Sequence, residues 1–142
     1  MQNKVKEFMD VSGQNTMRGE FDQKQTALYI GLVLEEVAEL MRAQNMSFVA
    51  DDLEIMANQW KRGGIAAYHN ADTLDAFVDI AWVALGGAWA MGADADGAVN
   101  AVYENNMSKF PMIEGKRVVL RDENGKIRKP EGFVPVELGA YL

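Results

Sequence analysis

GLVLEEVAELM (31–41) and LDAFVDIAWVALGGAWAM (74–91) decide the reading of this chain. Each is an apolar, helix-like run, and each carries carboxylates where carboxylates are normally excluded. The first holds Glu35, Glu36 and Glu39; in the second, Asp75 and Asp79 are the only charged residues. An ionised carboxylate in an apolar setting is costly unless it is paired or binds a metal. Five of them on two segments expected to be buried point to a divalent-cation site, and a cation site points to phosphate chemistry.

Working outward, the pattern is helical up to residue 110. A short helix is expected over 3–12, with Val5, Phe8 and Met9 on one face, before the polar connection at Gly13. Asp22 is placed to cap a long helix to about residue 45, whose wide apolar face makes it central in a bundle. Ser47 is expected to cap a third helix that stops at Lys61-Arg62-Gly63-Gly64. Asn70 or Asp72 starts the second acidic helix, and Asp94 or Asp96 caps a last one over roughly 97–109, ended by Pro111. RVVLR and KIRK flank Asn124-Gly125, a two-residue hairpin signal, and the stretch from Pro130, with its two prolines, is expected to be extended. The fold class is therefore all-α: one domain over 1–142, with a four- to five-helix bundle over 1–110 and a small β-hairpin and tail over 111–142.

Helix geometry sharpens the carboxylate argument. At about 100° per residue, Glu36 and Glu39 lie about 100° and 40° from Glu35, all on one side. Asp72, Asp75 and Asp79 form a narrow stripe of their own. Two antiparallel helices presenting these stripes across about 8–10 Å would converge four or five carboxylates. Mg²⁺ takes oxygen ligands and keeps water and phosphate in its shell, which such a site leaves room for. Surface glutamates and an ion-paired Asp75 are the plainer alternative, but no Lys or Arg lies within a turn of Asp75 or Asp79. Di-iron chemistry needs two Glu-x-x-His motifs; the single histidine, His69, has no glutamate three residues before it.

Composition excludes several classes. The absence of cysteine rules out disulfides and thiolate metal sites. No secretory leader is visible at the N-terminus, and the run over 80–91 is too short to span a bilayer, so the expectation is a cytoplasmic protein with no membrane partner. A net charge of -7 argues against nucleic acid as a partner. Seven of the 14 basic residues nevertheless fall within 109–129, a layout that suits an anion held between a metal and lysines.

With EEVAE (35–39), DAFVD (75–79) and NNMSK (105–109) in order, the chain resembles the all-α NTP pyrophosphohydrolases, the superfamily of MazG, dimeric dUTPases and phosphoribosyl-ATP pyrophosphohydrolase. It looks most like the small MazG-like proteins of phages and mobile elements, and KIRKPEGFVPVEL looks like their C-terminal tail. The family pattern is Glu-Glu-x-x-Glu followed by Glu-x-x-Asp. Glu35, Glu36 and Glu39 match the first motif and Asp79 the end of the second, but Ala76 stands where its glutamate belongs, with Asp75 the nearest carboxylate. The segment over 51–64 looks like an insertion.

The resemblance implies Mg²⁺ as cofactor, with Mn²⁺ a substitute, and hydrolysis of a (deoxy)nucleoside triphosphate at the α-phosphate to the monophosphate and pyrophosphate. Glu36, Glu39, Asp75 and Asp79 are then metal ligands, and Glu35 a further ligand or the holder of the attacking water. Asn106 and Lys109 contact substrate; Lys126 and Lys129 reach phosphates if the tail folds over a site; Gln14 and Phe8 match positions near the base pocket. Trp82 is read as core or interface, with base stacking as the rarer role. A small bundle with a projecting tail is expected to be a homodimer or homotetramer. Two other functions are carried alongside: a non-catalytic nucleotide-binding module, and a purely structural helical oligomer.

Overall fold

The computed structural model describes residues 1–121 and 127–142. Among them are five α-helices: α1 (Gln2–Val11), α2 (Gln23–Ala43), α3 (Ser47–Lys61), α4 (Ala71–Ala90) and α5 (Ala95–Met107). A two-stranded antiparallel ladder follows, β1 (Met112–Ile113) with β2 (Lys116–Arg117). The mostly helical architecture agrees with the all-α reading. The chain divides into two compact units, one of Met17–Thr73 and one of Met1–Thr16 with Leu74–Leu142.

The Met17–Thr73 unit is a helical hairpin. The Asp22 carboxylate accepts from the Gln25 N–H at 2.9 Å and starts α2 as expected. Asn45, at φ 61°, turns the chain out of it, since Asn is one of the few side chains that tolerate the left-handed region. Ser47 is not a cap: Met46 holds that position and Ser47 is already helical. The two helices meet through small residues. Ala27, Gly31 and Ala38 of α2 are buried against Ala50 and Ala57 of α3. A Cβ built on Gly31 would sit 2.6 Å from Lys61 Cγ and 2.8 Å from the Ala57 carbonyl oxygen, so the helices touch there backbone to side chain. At the other end Arg42 bridges Asp51 at 3.2 Å and Glu54 on α3; the Glu54 hydrogen bond first, and Asp51 after it, push the guanidinium pKa up. His69 stacks on Phe21 at 4.8 Å in the connection to α4.

The other unit is built around α1 and α5. Phe110 and Met107, with Ser12, are its fully buried side chains. α1 closes on Gly13 at φ 72°, where glycine alone is unstrained. The Asp94 carboxylate accepts from the Gly97 N–H at 2.9 Å and caps α5. The C-terminal stretch is extended only in its middle: it begins with a turn over 130–133 and ends in a 3-10 turn over Gly139–Tyr141, so the expectation of an extended tail holds in part. The tail is tied back to α5 by Asn105 Nδ2 donating to the Val134 carbonyl at 2.6 Å and by the Asp94 N–H donating to the Tyr141 carbonyl at 2.8 Å.

Two expectations need correcting. Arg117 pairs with Met112 across a turn at Glu114-Gly115, while the RVVLR and KIRK runs meet, among the described residues, at the Arg121–Ile127 antiparallel bridge and through the Arg128 N–H donating to the Leu120 carbonyl at 2.7 Å. The Asn124-Gly125 turn itself lies outside the described residues. Second, α4 is not a buried helix. None of its residues is buried, and Trp82 is 79% exposed. It is also longer than the 80–91 run, and among the described residues it is the one helix long and apolar enough to cross a membrane.

Candidate functional site

The small-residue stripe of α2 sets where its glutamates point. Taking the mean direction of Ala27, Gly31 and Ala38 as the face toward α3, Glu35 lies about 60° from it, Glu39 about 100° and Glu36 about 160°. Glu35 is accordingly half-buried at the edge of the helix contact, while Glu36 and Glu39 are exposed. On α3, Lys61 falls on the same stripe as Ala50 and Ala57. Its Nζ donates to Glu35 Oε1 at 2.8 Å. The expectation of buried acidic segments is thus met in part at Glu35 alone.

α4 carries Asp75 and Asp79, both exposed. By helical angle they share a stripe with Asp72 that separates two apolar faces. One face, with Phe77, Val78, Trp82 and Leu85, lines an open cleft of about 860 Å³ together with Val5 and Met9 of α1. That volume is in the range of small-molecule sites. Lys6 and Thr16 stand at its polar edge. The other face, Ile80, Val83, Gly87 and Met91, points the opposite way, and the notch at Gly86 and Gly87 is open, with nothing near a Cβ built on either.

The glutamates and the aspartates belong to different units. Within either unit, no three His, Asp or Glu side chains among the described residues are grouped to hold a metal ion. The donor set is nevertheless all carboxylate oxygen, the chemistry Mg²⁺ prefers, and Mg²⁺ is commonly held by one or two carboxylates with water and substrate phosphate completing the shell.

The expected substrate contacts are scattered through one unit. Lys109 Nζ donates to Asn106 Oδ1 at 2.7 Å, so this pair is brought together at the end of α5. Phe8 packs on Phe110 with ring centroids 5.1 Å apart, a core contact. The Gln14 N–H donates to the Met9 carbonyl in the turn closing α1. Lys129 Nζ lies 5.1 Å over the Phe133 ring, and Lys126 lies outside the described residues.

Sequence reasoning missed Lys61, which it treated as part of a helix stop. The available signal was Gly31: a glycine inside a long helix costs about 1 kcal/mol against alanine, and one turn before Glu35 it marks a close approach. Comparisons with protein-family models, with curated proteins and with solved structures find no match to this chain.

Proposed function

We propose that this protein is a Mg²⁺-dependent nucleoside triphosphate pyrophosphohydrolase of the all-α, MazG-like kind. The observation that carries the reading is the Glu35-Glu36-x-x-Glu39 motif on an unbroken helix, with Glu36 and Glu39 presented to solvent and Glu35 held in place from α3. Glu36 and Glu39 of the hairpin would hold Mg²⁺, which when bound would neutralise charge on the triphosphate; Asp75 and Asp79 are assigned as ligands from the family resemblance alone. Phosphoryl-type transfer is mainly positioning and charge neutralisation, so little else is demanded of the chain. Glu35 is a further ligand or orients the attacking water. Water oxygen forms a bond to the α-phosphorus, the bond to the bridging oxygen breaks, and pyrophosphate leaves with the monophosphate as the other product. By the family resemblance, Lys109 and Asn106 supply cationic and polar contacts to the phosphates.

The test is a pyrophosphate-release screen over nucleoside triphosphates with Mg²⁺ or Mn²⁺. Turnover of at least one nucleotide is expected, and silence across canonical and modified bases would sink the reading. Ala76, standing where the family pattern has glutamate, favours a second reading as a nucleotide-binding module; saturable nucleotide binding without turnover would select it.

The active form is a homo-oligomer on this proposal. The Ile80–Val83–Gly87–Met91 face of α4 is exposed and apolar, with Val83 at 66% and Met91 at 70%, a pattern that marks an interaction surface. A membrane is the poorer occupant, because Asp75 and Asp79 each add on the order of 3 kcal/mol at bilayer depth. Light scattering should give a mass of at least two chains, and Val83→Glu should shift it toward the monomer. A wild-type monomer at micromolar concentration would refute this.

A further inference from the structure

We propose that Lys61 is a positioning residue for Glu35, an assignment that rests on the metal-dependent reading above. Two geometric facts set its role. The ammonium touches Glu35 at one oxygen, Oε1, which leaves Oε2 for a metal or for its water. The lysine stem is also pinned: its Cγ fills the space a side chain at Gly31 would need, so that Gly31, Lys61 and Glu35 form a continuous line along the α2–α3 seam. A lysine on the outside of a helix swings freely; this one is 21% exposed and laid in a groove.

The groove explains what the ammonium does. Glu35 and Glu39 are one turn apart with Glu36 beside them, and like charges at that spacing repel. A fixed cation on Glu35 offsets the repulsion and holds one rotamer. Hydrogen-bonded partners of ligating carboxylates commonly matter 10–100-fold for metal affinity. A merely competing cation would act in the opposite sense, since its removal would free the carboxylate. The sign of the effect therefore decides between the two.

The experiment is Mn²⁺ titration of the full chain, with free Mn²⁺ followed by electron paramagnetic resonance, alongside thermal melts and pyrophosphate release. Lys61→Met, which keeps the stem, is expected to weaken Mn²⁺ binding about tenfold or more. Lys61→Gln, which keeps a donor, should fall between it and wild type. In a Glu35→Gln background, Lys61→Met should add no further loss, because Lys61 acts through Glu35. Unchanged or tighter Mn²⁺ binding in folded Lys61→Met overturns the assignment and leaves the hydrolase reading standing. Weaker binding in a chain that turns over no nucleotide supports the assignment and overturns the hydrolase reading. Wild-type protein that binds no Mn²⁺ overturns both. Should Lys61→Met fail to fold, Lys61→Gln carries the same decision.

Discussion

Alanine at Glu39 or at Asp79 is expected to abolish Mg²⁺-dependent pyrophosphate release, with a loss of about a hundredfold or more, and to leave the fold intact. The two halves of this result have separate causes. Each carboxylate is proposed to contribute charge directly to a hard cation, for which an alanine methyl is no substitute. Both residues are also exposed on helices, where substitutions away from packed features usually change stability by no more than about 0.5 kcal/mol, and alanine is the best helix former. Loss of activity without loss of melting temperature is thus the signature of the site. Full activity in either variant would remove that residue from the metal shell. Asp75→Ala belongs in the same series, because it tells whether that aspartate does the work of the glutamate the family pattern has at 76.

The second large effect lies in the α2–α3 seam. Gly31→Val should destabilise the protein by about 2–3 kcal/mol, the usual cost of overpacking, which for a chain of this size lowers the melting temperature by roughly 10 °C. The new side chain would meet Lys61 Cγ at 2.6 Å and the Ala57 carbonyl oxygen at 2.8 Å. The lysine can swing away, but the carbonyl belongs to the α3 backbone and cannot. Eviction of Lys61 would also break its bond to Glu35, so activity should fall more steeply than the fraction folded. A melt within about 2 °C of wild type would show that the seam is looser than these distances indicate.

Much of the helical framework was legible because its punctuation is local. Asp22, Asn70 and Asp94 each place an oxygen at the first-turn N–H groups of the helix they precede, and a cap needs only three or four residues of context. The third helix shows the limit of such reading: Ser47 has the right chemistry for a cap, yet the turn through Asn45 begins the helix one residue earlier. Strand pairing was harder. Arg121 and Ile127 pair on either side of Asn124-Gly125 as that hairpin signal asks, but a second ladder forms at Glu114-Gly115, where positive φ at both residues supplies the tight turn.

At the candidate site, the motif residues were readable and their surroundings were not. Apolar neighbours in sequence made Asp75 and Asp79 look buried, although burial depends on what packs across the helix, which no local window contains. The partnership of Lys61 with Glu35 joins residues 26 apart in the chain. It follows from two stripes of small residues meeting, and each stripe is visible only once the helices are known to face each other.

Those stripes have a consequence for how the Met17–Thr73 unit holds together. The fully buried large side chains, Phe110 and Met107, are both in the other unit, and the helical hairpin closes on alanine methyls and a glycine. A methyl-sized group contributes only about 0.8 kcal/mol on burial, while Phe48, Ile55 and Leu40 stay in water. Such a hairpin has its order set from outside as much as from within. Anything that binds its folded form, whether cation, nucleotide or another protein surface, adds to its stability by mass action.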